Sequence, residues 1–239
     1  PCLGLVLVAG MCAFLPSGAR AQNVWHYSVA EGGGKEFPRK LVLLPPEVGV
    51  YELSAGGTIE KVPEWGREAA GHIEREIREF VVGRRDLELV PMVTLSEDDN
   101  DLVDRHFAAY TVVATTAHAI LQNADPAWAH KRNRFDYTIG PGLRFLKEKT
   151  GADAAILAVA EDLVSSGGRK AMVVLGALLG IGLPTGRAYL VLGVVKLDSG
   201  DIVWLHSDFS VTQDLKDGAA VEGMITDILR AYERRETAK

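Results

Sequence analysis

Between residues 40 and 232, apolar runs of strand length alternate with amphipathic stretches of helical period, and this restricts the fold more than any other feature. Lys40-Leu-Val-Leu-Leu44 is a short apolar run stopped by Pro45-Pro46, and Val48 to Leu53 resumes it. That pattern predicts a buried first strand ending at an edge suited to a functional cleft. Gly56-Gly57 then opens a loop. From Glu64 to Val82, Trp65, Ala69, Ile73, Ile77 and Phe80/Val81 recur at helical spacing. Arg67, Glu68, Glu74, Arg75 and Arg78 decorate the other face, and Gly83 closes the helix.

The alternation continues. Leu87 to Val93 reads as a strand, and the acidic run Ser96 to Asp101 starts a second long helix reaching about Gln122. Gly140-Pro141-Gly142 opens a third helix, because proline fits the first helical turn, and Gly151 ends it. Ala152 to Ala160 is apolar enough for a buried strand. Arg187–Lys196 and Ile202–Val211 are two further strands joined by the turn Asp198-Ser-Gly-Asp201. A last amphipathic helix spans about Leu215 to Tyr232, with Ala219, Met224, Ile228 and Leu229 on one face. No internal repeat is visible. The order β-α-β-α-α-β-β-β-α predicts an α/β chain: a mixed four- to five-stranded sheet between helices, in three α/β/α layers. One domain is expected from about residue 39 to 234, preceded by a flexible, glycine-rich lead-in over 22–38.

Ahead of this lies a leader. Leu3 to Leu15 is almost unbroken apolar sequence, Pro16-Ser17-Gly18 breaks it, and Ala19-Arg20-Ala21 follows. An apolar core, a helix breaker and a small-x-small site make a secretory signal peptide, with cleavage expected between Ala21 and Gln22. Thirteen residues of helix span about 20 Å, short of a bilayer core of about 30 Å. A rival form of export is lipidation at Cys12. A lipobox wants a leucine-like residue three before the cysteine and a small one just before it, where this chain has Ala9 and Met11.

Composition narrows the classes further. The chain has 239 residues, 47% of them hydrophobic, and its two cysteines, Cys2 and Cys12, both lie in the leader. Cleavage would leave a protein with no disulfide, no thiolate metal site and no cysteine nucleophile, resting on an ordinary hydrophobic core. The formal charge of −6 becomes −7 once Arg20 is removed, which argues against broad nucleic-acid binding.

Candidate chemistry is sparse. Glu97, Asp98, Asp99, Asp101 and Asp104 suggest calcium, but the central glycine of an EF-hand loop is absent, and acids at a helix start suit its dipole. His72 and Glu76 share a helix face and could touch one metal, yet a third ligand is missing. His106 and His118 are too far apart along one helix to bind one ion. Ser165-Ser166-Gly167-Gly168 lacks the spacing of a nucleophile elbow, and Gly140-x-Gly142 lacks a third glycine for a dinucleotide. Trp128, His130, Lys131, Arg132, Arg134, Phe135 and Tyr137 form a basic-aromatic patch, read as a surface loop or as a partner or headgroup contact. No catalytic residue, metal or cofactor is assigned.

The segment Ala171 to Leu183 is the least conventional. It carries no charge, lies between Lys170 and Pro184, and places Gly176 and Gly180 at small-xxx-small spacing. Three readings are open: a core segment, a surface for self-association or a partner, or a membrane-touching hairpin or helix. Ala171, Leu175, Gly176, Leu179, Gly180 and Leu183 are its candidate interaction residues.

Three motifs carry a family resemblance: Lys40-Leu-Val-Leu-Leu-Pro-Pro46, Ile139-Gly-Pro-Gly-Leu143 to Thr150-Gly-Ala-Asp153, and Asp198-Ser-Gly-Asp-Ile-Val-Trp204. Over about residues 40 to 232 the chain resembles bacterial envelope proteins related to the curli-secretion lipoprotein, the TolB amino-terminal domain and the penicillin-binding-protein activator lipoproteins. The resemblance implies an anticodon-binding-like α/β/α domain that serves envelope assembly or transport without enzymatic activity. The chain departs from the curli-secretion family in its poor lipobox and in having one short apolar insertion where that family has two long membrane hairpins. The expectation is a periplasmic or outer-membrane-associated accessory protein, with other envelope proteins or further copies as partners, membrane contact open and no nucleic acid. The alternatives are a secreted hydrolase or metal-binding enzyme, in which Asp98, Asp101, His72 or Glu76 converge, and a periplasmic ligand-binding domain using the cleft after Pro45-Pro46.

Overall fold

The computed structural model describes residues 21–31, 37–122, 126–178, 188–211 and 214–233. Residues 1–20 of the expected leader, with Cys12 and Ala19, lie outside them.

The strands are β1 (Gln22–Trp25), β2 (Lys40–Leu43), β3 (Glu47–Leu53), β4 (Ile59–Lys61), β5 (Glu88–Val90), β6 (Ala154–Ser165), β7 (Ala188–Lys196) and β8 (Ile202–Val211). The helices are α1 (Tyr27–Glu31), α2 (Pro63–Gly83), α3 (Glu97–Gln122), α4 (Ala129–Asn133), α5 (Arg144–Thr150), α6 (Gly167–Leu178) and α7 (Gly218–Glu233), with single 3-10 turns at Pro126–Trp128 and Pro141–Leu143. All eight strands join one mixed sheet, ordered β1-β8-β7-β6-β2-β5, with β3 beside β6 and β4 beside β3. The β2–β5, β2–β6 and β3–β6 pairs are parallel and the others antiparallel.

Alternation along each strand sorts the core into two faces. Leu41 and Leu43 point to one face, where α2 packs Ala69, Ile73, Ile77 and Val81, and α7 packs Val221, Ile225 and Ile228. Val42 and Leu44 point to the other, under Val103, Phe107, Tyr110 and Ala114 of α3 and Leu146 of α5. The α/β class and the layered arrangement therefore follow from the predicted periods. The sheet, however, has eight strands where four to five were expected.

Three differences have local causes. The first apolar run is two strands, not one. Ala154–Ile156 of β6 pair with Leu41–Leu43, and Val159–Ser165 pair with Glu47–Leu53. Three residues, Leu44 to Pro46, therefore oppose two on β6, because Pro45 and Pro46 have no N–H for the ladder. Second, Gln22–Glu31 is not a flexible lead-in but β1 and α1. β1 lies along β8, Trp204 Nε1 donates to Asn23 Oδ1 at 2.6 Å, and Trp25 packs 5.1 Å from Tyr232 and 5.5 Å from Phe37. Third, β6 does not stop at Ala160. It runs on through Glu161 and Asp162, because the long β3 and β7 partners supply ladder hydrogen bonds on both sides.

Several caps match their sequence signals. Ser96 and Asp99 form a reciprocal box at the start of α3: Ser96 Oγ accepts from Asp99 N–H at 3.2 Å, and an Asp99 oxygen accepts from Ser96 N–H at 3.3 Å. Gly151 ends α5 in the left-handed region at φ 76°, and Gly200 takes φ 77° in the β7–β8 turn, where a side chain would be strained.

Candidate functional site: an outward-facing apolar helix

The pairings Leu53↔Ser165, Asp162↔Ala188 and Ala188↔Val211 bring the end of β3, the end of β6, the start of β7 and the end of β8 to one end of the sheet. There the chain leaves β6 for α6. Ser166 makes that exit: its N–H donates to Leu53 O at 2.9 Å, and its Oγ accepts from Arg169 N–H at 3.2 Å as an N-cap. Ser165-Ser166-Gly167-Gly168 is thus a strand-to-helix junction. Gly168 sits close under the β3–β4 turn, where an added Cβ would come to 3.4 Å from Ala55 Cβ.

α6 carries its apolar residues outward. Ala171, Val174, Leu175 and Leu178 fall at i, i+3, i+4 and i+7 and are all exposed. Val174 is 62% exposed, Leu175 60% and Leu178 79%, and Met172 beside them is 43% exposed. None of the described side chains of α6 is buried. The core reading of residues 171–178 is thereby overturned: strand β6 and helices α2, α3 and α7 fill both faces of the sheet without α6. Gly176 lies in the helix; Leu179, Gly180 and Leu183 lie outside the described residues, and the glycine pairing with them.

Beside this exit, on the α3 face, stands a polar cluster the sequence did not announce. Glu161 hydrogen-bonds Tyr189 across the β6–β7 ladder, and burial pushes both groups up. Glu47, at the rim, is raised to about 7 by loss of solvent and then by Asp104, with Lys61 opposing. Tyr189 stacks on Phe209 with ring centres 5.1 Å apart, and Phe209 lies 4.3 Å from His118. His118 Nδ1 and Ser207 Oγ are hydrogen-bonded at 2.9 Å. Ser207 is fully buried and His118 1% exposed, so this serine–histidine contact is shut off from any substrate. Desolvation lowers His118 and takes His206 down to about 4. The signal for the cluster was the pair Glu161-Asp162 inside an apolar strand.

The remaining candidates scatter. His72 and Glu76 stand on α2, over one face; Asp98 and Asp101 stand on α3, over the other, so the residues of the hydrolase reading do not converge. His72 Nδ1 meets Arg75, and Glu76 pairs with Arg75 at 2.9 Å. Among the described residues, no group of three His, Cys, Asp or Glu could hold a metal ion. Asp99 accepts from Lys149 at 2.5 Å. His106 Nδ1 contacts Leu102 O at 2.7 Å within α3. In the basic-aromatic patch, Lys131 pairs with Asp136 at 2.5 Å, Arg134 lies 3.7 Å over the Tyr27 ring, and Phe135 is buried. Those contacts fasten α1 and α4; Trp128 is exposed. Among the described residues no helix is long and apolar enough to cross a membrane.

No family model matches the chain, and no curated protein matches it. Among solved structures, it is similar to the PelC dodecamer from Paraburkholderia phytofirmans at 11% identity and TM-score 0.34, over 89% of this chain and 97% of that one. A single-substitution form of that dodecamer in another crystal form gives 10% identity, TM-score 0.34 and the same coverage. Likenesses this distant carry no argument about fold or activity. These neighbours are PelC, not the curli-secretion, TolB or penicillin-binding-protein activator proteins of the sequence resemblance.

Proposed function

We propose that the chain is an exported, non-enzymatic accessory protein of the cell envelope. It serves assembly or transport through contacts with other envelope components, envelope proteins or further copies of itself among them. The observation that carries this reading is the outward stripe of α6, because an apolar stripe this regular on a water-facing helix marks an interaction surface. Supporting it are the secretory leader and the envelope resemblance of the three motifs. Among the described residues two serine–histidine side-chain hydrogen bonds are seen: His118–Ser207 is buried in the core, and His26–Ser28 joins residues two apart at the start of α1.

Size-exclusion chromatography with light scattering, combined with crosslinking in intact cells, tests the proposal. The expected result is self-association or recovery of an envelope component that Leu175→Gln abolishes. A strict monomer that recovers nothing refutes it.

A further inference from the structure

We propose that the half-exposed patch of sheet lined by Glu47, Tyr51, Glu161, Tyr189 and Phe209 binds an organic ammonium cation. None of these residues belongs to the stripe of α6.

Strand pairing puts the side chains on one face. Val159 packs under α3, and Glu161, two residues on, points to the same side. Glu47 lies opposite Val159, and Glu161 stands between Gly49 of β3 and Tyr189 of β7. Tyr51 comes next along β3, with Lys61 of β4 beside it. Gly49 brings no side chain to this face, and the Tyr51 ring takes up the room. A Cβ added at Gly49 would come to 3.0 Å from Tyr51 Cε2 and 3.3 Å from its hydroxyl. Glycine inside a strand weakens it; here it lets a ring lie down within reach of the Glu161 charge.

Charge and rings together select the ligand. Asp104 bears on Glu47, while the charge of Lys61 reaches both Glu47 and Glu161, so the carboxyl groups outnumber the cation beside them. His118, against the Phe209 ring, adds no charge near neutrality because burial lowers it. Glu161 is hydrogen-bonded to Tyr189, whose ring stacks on Phe209 with 15° between planes and 5.1 Å between centres. Carboxylates beside aromatic rings attract an alkylammonium twice, by charge and by the ring quadrupole. A metal ion is a poorer fit, since among the described residues no group of three His, Cys, Asp or Glu could hold one.

The test is isothermal titration calorimetry at about pH 8, where Glu47, raised to about 7, is ionised. The titrants are tetramethylammonium, methylammonium and tert-butanol, the last a neutral molecule of similar size, at constant ionic strength. Glu161→Gln removes the charge and keeps the shape; Tyr51→Leu removes a ring. Glu88→Gln, at the opposite end of the sheet, is the control. Thermal melts establish that each variant is folded. At least one of the two cations should bind, and tert-butanol roughly tenfold more weakly or not at all. Glu161→Gln and Tyr51→Leu should each weaken the cation by roughly tenfold, and Glu88→Gln should leave it unchanged. Equal binding of the cations and tert-butanol overturns the assignment of a cation. Cation binding that neither Glu161→Gln nor Tyr51→Leu weakens overturns the site, and no binding of either cation at millimolar concentration overturns the proposal.

Discussion

His206 makes the protein's stability depend on mild acid, and the size of the effect follows from its burial. The side chain is 6% exposed on β8, opposite Asn23 of β1, and its Nδ1 has no hydrogen-bond partner among the described residues. Desolvation lowers it from 6.5 to about 4, with Asp208 opposing and His118 adding to the fall. The unfolded chain therefore takes up the proton first. Stability attached to this group is intact above pH 6.5 and is lost as pH falls towards 4. At 1.36 kcal/mol per unit, the loss is about 3 kcal/mol by pH 4, or roughly 6–12 °C in Tm for a chain of this length. His118, lowered for the same reason, acts in the same direction. Glu47, Glu161 and Asp162 act oppositely, since their raised values favour the folded state as pH falls. Asp86 and Asp136, held low by Arg84 and Lys131, lose their contribution only below about pH 4. A difference measurement isolates the histidine: urea unfolding of wild type and His206→Gln, near neutrality and near pH 4. The wild type should lose about 3 kcal/mol more than the variant over that interval. Parallel losses would refute the argument.

Four further outcomes are expected. Tyr110 is fully buried with its hydroxyl unpartnered among the described residues, so Tyr110→Phe should leave stability unchanged or raise it by about 1 kcal/mol in urea unfolding. Gly193 lies directly under that ring, so Gly193→Ala should cost about 1–3 kcal/mol, and less in the Tyr110→Ala background, where space has been made. Asp162 accepts from Leu215 N–H at 3.1 Å; Asp162→Ala should cost about 1–3 kcal/mol, with hydrogen exchange at Leu215 rising first. Leu178→Gln, at an exposed position, should move stability by no more than about 0.5 kcal/mol, whereas a buried leucine in its place would cost several times that.

The helices were legible because their faces are periodic. Ile73 and Ile77 had to look inward, and the Ser96–Asp99 box marked the start of α3 ahead of its first apolar residue, Leu102. The β7–β8 hairpin was legible from Gly200 and its flanking aspartates. β1 was not, because Gln22-Asn-Val-Trp25 has no apolar alternation of its own. Its order comes from β8 and from the rings of Trp204 and Tyr232, which lie far along the chain. β4 is three exposed residues defined by pairing with β3 alone. The polar cluster at Glu47, Glu161 and Tyr189 needs three strands to assemble, so the acidic pair Glu161-Asp162 inside an apolar strand marks one member and leaves its partners unannounced. Ala171 to Leu183 held its apolar character in plain view but not its direction, since an apolar run has the same composition facing a core or a partner. Only the filling of both sheet faces by other elements turns α6 outward.

Protection of the stripe in its own setting tests the docking helix most directly. The native cysteines are Cys2 and Cys12 alone, so a cysteine introduced at Leu178 or Val82 is readily followed by mass. The two positions are 79% and 72% exposed, on α6 and α2. Both should react quickly with a water-soluble thiol reagent in the purified protein. In intact envelopes Leu178→Cys should be protected at least tenfold more than Val82→Cys. Equal labelling of the two positions in envelopes would mean that nothing covers α6, and the account of this chain as a docking protein would fall.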